Sequence, residues 1–184
     1  MSSPNRQLLD EQLRQADAYL AAFRNTSAAN RVRVVIFGGM AVHLNLERRG
    51  VESRLSMDID IHARLDARLV AGLPHAFQLS DPQAFCSPDW QSRLIPMPEP
   101  AGLVAIDLFC TAPVDLIVMK IGRSWEKDIA DAMALMNAYG FEQDEIADLV
   151  DEAWRYSIQN PSLRNAVQRG MLELFDIDWV PPAD

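Results

Sequence analysis

Asp58 and Asp60 occupy alternate positions of an apolar run, Met57-Asp58-Ile59-Asp60-Ile61, and a third acid, Asp107, stands alone within Leu103 to Phe109. Residues two apart on a strand project from the same face, so Asp58 and Asp60 point the same way. Like charges that close repel, and each raises the other's pKa unless a cation neutralises them. Carboxylate oxygens in this arrangement suit hard cations, Mg2+ or Mn2+, shared with the phosphates of a substrate. If the strand of Asp107 lies beside the first, three carboxylates converge. Two ions about 3.5–4 Å apart would then activate an attacking hydroxyl and stabilise a pyrophosphate leaving group. Upstream, Gly38-Gly39 ends the apolar run Val34 to Phe37 and precedes a helical segment. Glycines at a helix start let a phosphate approach the backbone N–H groups closely. Together these are the parts needed to hold a nucleoside triphosphate. The bland alternative is that Asp58 and Asp107 are solvated or salt-bridged strand residues.

The elements that must position these groups are readable from hydrophobic periodicity. Leu8, Leu9, Leu13, Ala16, Leu20 and Phe23 recur at helical spacing over residues 6–24, and Asn25-Thr26-Ser27 ends that helix. Val32 to Phe37 is β-branched, apolar and bounded by glycine, which predicts a buried strand. Met40 to Leu46 reads as a short helix, Gly50 to Ser56 as a polar loop, and Met57 to Ala63 as a second strand. On that strand Met57, Ile59 and Ile61 share one face; Asp58, Asp60 and His62 share the other. Asp66 to Leu73 reads as a helix, after which Pro82, Pro88, Pro96, Pro98 and Pro100 break the chain into loops and short strands. Leu103 to Cys110 predicts a strand and Pro113 to Gly122 a helix. Ser124 is placed to cap the next helix, which runs to Tyr139. Glu142 to Ile158 and Pro161 to Phe175 predict two more helices, and the tail from Asp176 an exposed end. Strands and helices are partly segregated, which favours an α+β fold with a mixed sheet flanked by helices. The expected organisation is a core over residues 1–112 and a helical region over 113–184, packed as one unit.

Composition bounds the class. The chain has 184 residues, 49% hydrophobic and 23% charged, enough for one sizeable core. No apolar run approaches the roughly 20 residues that span a membrane, and the N-terminus lacks an apolar signal core, so a cytoplasmic protein is expected. Cys86 and Cys110 have no metal-ligand spacing and read as reduced core residues. The net charge of −9 argues against a general nucleic-acid binder. Its distribution is uneven, however. The first 64 residues carry nine Lys and Arg against seven Asp and Glu, and the remainder eight against nineteen. Arg31, Arg33, Arg48, Arg49 and Arg54 therefore concentrate near the candidate phosphate site, unless each is simply part of a solvated surface.

The order Phe37-Gly38-Gly39, Met57-Asp58-Ile59-Asp60-Ile61 and Ile106-Asp107-Leu108 resembles the signature of the polymerase-β-like nucleotidyltransferase superfamily. Arg54 to Asp60 is similar to the approach to the paired acids in its minimal bacterial members. Pro113 to Asp131, with Val114, Asp115, Leu116, Lys120, Arg123, Lys127 and Asp128, resembles a second block of those proteins, which include the AbiEii-like transferases of toxin–antitoxin loci. The resemblance implies a nucleotidyltransferase-like fold and transfer of a nucleoside monophosphate from an NTP to a hydroxyl. It implies Asp58, Asp60 and Asp107 as catalytic, Mg2+- or Mn2+-binding residues, and Gly38, Gly39, Arg54, Ser56 and Lys120 as contacts to the phosphates. Gly39 stands where many members carry serine, so a hydroxyl contact to phosphate is expected to be missing. The implied acceptors are RNA, with tRNA foremost, or a protein, and a cognate toxin or antitoxin is an implied partner; no membrane is involved. A small-molecule transferase of the antibiotic-modifying type and a non-catalytic nucleotidyltransferase-like antitoxin are the rival readings.

The remaining polar candidates have simpler expectations. Lys127 and Asp131, at i and i+4, pair on a helix surface, and Asp128 complements the helix dipole. His62 shares a face with Asp60 and lines the site or merely packs. The tryptophans Trp90, Trp125, Trp154 and Trp179 are expected in core or interface packing.

Overall fold

A computed structural model describes residues 3–23, 31–54, 56, 58–65, 67–80, 85–98 and 102–182. The elements run α1 (Pro4–Phe23), β1 (Val32–Phe37), α2 (Gly38–Arg48), β2 (Ile59–Ala63), α3 (Ala67–Val70), β3 (Phe77–Leu79), β4 (Ile95–Pro96), β5 (Ile106–Cys110), α4 (Pro113–Ile121), α5 (Glu126–Tyr139), α6 (Gln143–Tyr156) and α7 (Pro161–Phe175). A 3-10 turn, Trp90–Arg93, precedes β4. The architecture is α+β, a mixed sheet flanked by helices, in line with the segregation seen in the sequence.

The sheet order is β3-β2-β1-β5-β4. The β-branched run of β1 occupies its centre, antiparallel to β2 and parallel to β5. Val34, Ile36, Ile59, Ile61, Ala63, Ile106, Leu108 and Cys110 belong to one continuous buried cluster. It reaches Leu9, Leu13 and Leu20 of α1 and extends through α4 to Leu135, Val150, Val167 and Met171. On β1's other side, Val35 joins a smaller cluster with Cys86, Trp90, Phe109 and Met119. The register places Phe37 opposite Asp60, Val35 opposite His62, and Arg33 opposite Asp107, so these polar groups share that second face. Helix α4 is apolar on nearly all sides, and it is accordingly buried against α2, α5, α6 and α7. Two polar residues on it are buried: Asp115 at its first turn and Lys120 at its last. Asp115 is satisfied by a two-pronged ion pair with Arg93, at 2.7 and 3.0 Å.

Several boundaries differ from the sequence reading, each for a local reason. Strand β5 begins at Ile106, not Leu103, because the buried Asp17 carboxylate accepts from the N–H groups of Val104, Ala105 and Ile106. That side chain takes the place of a ladder partner. Strand β2 begins at Ile59, leaving Asp58 in the turn before it, and Met57 lies outside the described residues. So do Leu55, Asp66, Pro82, Pro100 and the Asn25-Thr26-Ser27 helix end. Helix α3 is only four residues long, and α2 extends from Gly38 to Arg48. Ser124 does not cap α5: its φ is +50°, its hydroxyl donates to the carbonyls of Ile121 and Ala166, and Trp125 occupies the cap position. The tail is not an exposed end throughout. Trp179 is buried, its indole N–H donating to Asp151 at 2.8 Å and its ring edge-on to Trp154. Cys86 and Cys110 are buried and form no disulfide, and burial pushes the Cys110 thiol up to about 12. No helix among the described residues is long and apolar enough to cross a membrane.

Candidate functional site

At the β1–α2 turn Gly38 adopts φ +63°, and a Cβ there would lie 2.0 Å from Asp60 Oδ2. Only glycine satisfies both the left-handed backbone and that contact. The glycine thus lets the Asp60 carboxylate lie against the N-terminus of α2, an end that no side chain among the described residues caps. Its first N–H groups are left for an anion. A Cβ on Gly39 would lie 3.1 Å from Ser56 Oγ and 3.9 Å from Arg54 Nη2. The Ser56 hydroxyl therefore stands beside the position where a side chain on residue 39 would begin. In this structure it donates to the Asp58 carbonyl at 2.9 Å, which folds the turn leading into β2.

A residue with no signature in the sequence holds that turn. Asn5, buried near the start of α1, donates from Nδ2 to the Arg54 carbonyl at 3.2 Å and accepts at Oδ1 from the Ser56 N–H at 3.0 Å. Both residues that flank position 55 are fixed by one amide. His43, bridging the hydroxyls of Ser3 and Ser53, ties the same loop to the chain start.

Gly39, Arg54, Ser56, Asp58, Asp60, Gln78, Lys120, Arg123 and Lys127 line one cavity of about 310 Å³. Asp58 is exposed and Asp60 half-buried. Burial raises the Asp60 pKa and Asp58 adds to the rise, while Arg123, Lys120 and Lys127 oppose it. In the cavity wall, Lys120 Nζ is buried between Asp128, at 2.8 Å, and Asp131, at 2.7 Å. Arg123 donates to Asp128 at 2.6 Å and Arg54 to Asp131 at 2.7 Å. Burial alone would raise the Asp128 pKa, but the hydrogen bonds from Arg123 and Lys120 outweigh it and hold the group below the ordinary carboxylate range. Asp58, Asp60, Asp128 and Asp131 thus meet Arg54, Lys120, Arg123 and Lys127 in a balanced network. The expected surface pair of Lys127 with Asp131 does not form. Asp131 faces inward to Lys120, and Lys127 turns to the cavity.

The structure brings together Gly38, Gly39, Arg54, Ser56, Asp58, Asp60 and Lys120, but not Asp107. The expected convergence of three carboxylates is corrected by strand register. Asp60 faces the last residue of β1, Phe37, whereas Asp107 faces Arg33, four residues earlier and one strand further across. That is about 13 Å along the sheet and about 10 Å across it. Asp107 instead pairs with Arg31 at 3.1 Å. The same-face neighbour of Asp60 on β3 is Gln78, an amide. His62 is also separate: it lines a different cavity with Arg33, Arg64 and Trp90. Arg123 stood in the Pro113-to-Asp131 block of the sequence without an assigned role, and the inward roles of Asp128 and Asp131 were missed. The Lys120-to-Asp131 block was their one trace.

Among the described residues no group of three or more Asp, Glu, His or Cys is placed to hold a metal ion. Asp58 and Asp60 offer two carboxylates at an open cavity. Mg2+ is usually held in that way, by one or two carboxylates plus substrate phosphates, and not in an all-protein cage. The donor set therefore fits an ion brought in with a phosphorylated substrate.

Residues 11–174 match the family described as "Nucleotidyltransferase of unknown function (DUF6036)". No curated protein and no solved structure matches the chain. With nearly its whole length matched, the chain belongs to that family, and its general class is nucleotidyltransferase.

Proposed function

We propose that this member of the family moves a nucleoside monophosphate from an NTP to a hydroxyl on RNA, with tRNA foremost, or on a protein. The observation that carries the reading is the contact of Gly38 with Asp60. It sets a carboxylate and the uncapped N–H groups of α2 at one cavity with four cations. In this reading the triphosphate lies along Gly38 and Gly39, with Arg54, Arg123 and Lys127 balancing its charge and the Ser56 hydroxyl beside it. Lys120 keeps Asp128 and Asp131 in place, and through them the guanidinium groups of Arg123 and Arg54. Asp58 and Asp60 would hold Mg2+ or Mn2+, which neutralises charge on the phosphates during transfer. The acceptor oxygen forms its bond to the α-phosphorus as the bond to the bridging oxygen breaks. Pyrophosphate leaves with that electron pair, and the hydroxyl proton passes to water. The chain's contribution is positioning and charge balance. Asp107, remote from the cavity, has no part in the step.

The test is incubation with each labelled NTP, Mg2+ or Mn2+, and total RNA or cell lysate. The expected result is label on RNA or protein, lost with chelator and with Asp58→Ala or Asp60→Ala. Labelling that survives both substitutions contradicts the proposal. A place in a toxin–antitoxin pair, the finer biological reading, predicts growth arrest on expression that Asp60→Ala relieves.

A further inference from the structure

Arg123 and Lys127 do more than line the carboxylate cavity. The Arg123 guanidinium lies 5.6 Å and the Lys127 ammonium 5.1 Å from the ring centre of Trp125. Three of the four tryptophans are buried, whereas Trp125 is 58% exposed. An indole left in water beside two cations is a cation–π arrangement with apolar ring surface still exposed. It opens onto a second cavity of about 570 Å³, which Arg123 shares as a wall and which Tyr156, Ile158 and Leu163 continue. That volume falls within the roughly 300–1,000 Å³ of ordinary small-ligand sites. Among the described residues no carboxylate lines it. Its polar side chains include Ser162, Ser157, whose hydroxyl donates to the Trp154 carbonyl at 3.0 Å, and Asn160, whose side-chain oxygen accepts from the N–H of Leu163 at 2.9 Å. With Trp125 and Tyr156 in its wall the cavity offers aromatic stacking surface, which any nucleobase satisfies through its π-face.

We propose that Trp125, with Tyr156, forms the nucleobase subsite, stacking the base of the same NTP whose phosphates pass Arg123 and Lys127 into the carboxylate cavity. This rests on the proposed NTP binding and adds where the base lies. Continuity through the shared arginine and two flanking cations favours an anionic, aromatic ligand over an apolar protein segment.

The test measures equilibrium binding of NTP with Mg2+, and of tripolyphosphate with Mg2+, alongside tryptophan emission. NTP is expected to quench the wild-type emission, and Trp125→Phe to lose that quench while binding NTP within about 3-fold of wild type. Trp125→Leu should weaken NTP binding about 5- to 100-fold and leave tripolyphosphate binding unchanged. Because Trp125 is exposed, these variants should fold, which far-UV circular dichroism checks. Wild-type NTP affinity in Trp125→Leu, unchanged emission at saturating NTP, or an equal loss of tripolyphosphate binding overturns the subsite while NTP binding stands. Docking of a protein on an unquenched Trp125 has the same force. Absence of any NTP binding by the wild type removes the subsite together with the function it rests on.

Discussion

Substituting Gly38→Ala probes the contact on which the site is built. A Cβ at position 38 would sit 2.0 Å from Asp60 Oδ2 and 2.9 Å from its carboxyl carbon, far inside van der Waals distance. Two costs follow. A non-glycine residue at φ +63° costs about 1–2 kcal/mol. Displacing the half-buried carboxylate adds an overpacking term of about 1–3 kcal/mol. Gly50→Ala separates the two, because φ there is +71° and nothing lies within 4 Å of the added Cβ. It should show the backbone cost alone. In an Asp60→Ala background the two closest atoms are gone and only the position-60 Cβ remains near, at 3.2 Å, so Gly38→Ala should fall towards the cost of Gly50→Ala. The expected coupling between positions 38 and 60 is about 1–3 kcal/mol, measured by urea denaturation of the four proteins in the cycle. Equal costs for Gly38→Ala and Gly50→Ala, or additivity across the cycle, would refute the contact and with it the placement of Asp60 at the α2 N-terminus.

Other perturbations act on the network around that contact. Lys120→Met leaves Asp128 and Asp131 buried without their shared cation and should destabilise by about 3–5 kcal/mol, whereas Lys127→Ala, on an exposed side chain, should change stability by less than about 0.5 kcal/mol. Asp128, held below its ordinary pKa, contributes stability that is present above the usual carboxylate range and lost as pH falls through its folded value. Asp60 has the opposite sign: its raised pKa means the folded state takes up a proton between the ordinary and the raised value, so its ionisation costs stability as pH rises. Melting curves from neutral to acid pH should accordingly show Asp128→Asn flattening the acid limb and Asp60→Asn raising the neutral-pH midpoint. Asn5→Ala removes both bonds to the turn at 54–56 and should cost about 1–3 kcal/mol. It should also raise the KM for NTP more than it lowers kcat, and an unchanged KM would show that the turn does not depend on Asn5.

Strand β1, the glycine turn and the two alternating acids were legible because each rests on local pattern: a β-branched run, Gly-Gly, and a two-residue period. Asp107 was misplaced for an equally physical reason. Period tells which face a strand residue occupies, but not how far along a neighbour it lies, and register is set by pairing across the sheet. The early residues of the predicted third strand were taken out of the ladder by Asp17, a residue of α1 that no local pattern connects to them. Asp131 looked like a surface helix acid because its i, i+4 spacing to Lys127 is satisfied on paper, and Asp128 because a carboxylate in a helix's first turn complements the dipole. Their true partner, Lys120, sits on a different helix and is legible only once α4 and α5 are packed. Trp125 was indistinguishable from the three tryptophans that are buried, since exposure is a property of the fold.

The central claim, nucleotidyl transfer at the Asp58–Asp60 cavity, is tested most directly by following NTP labelled either at the α- or at the γ-phosphorus. The account predicts that α-label appears on the acceptor, that γ-label leaves as pyrophosphate, and that Asp58→Asn with Asp60→Asn abolishes both. Transfer of γ-label to the acceptor, or α-labelling that persists in the double variant, would contradict it.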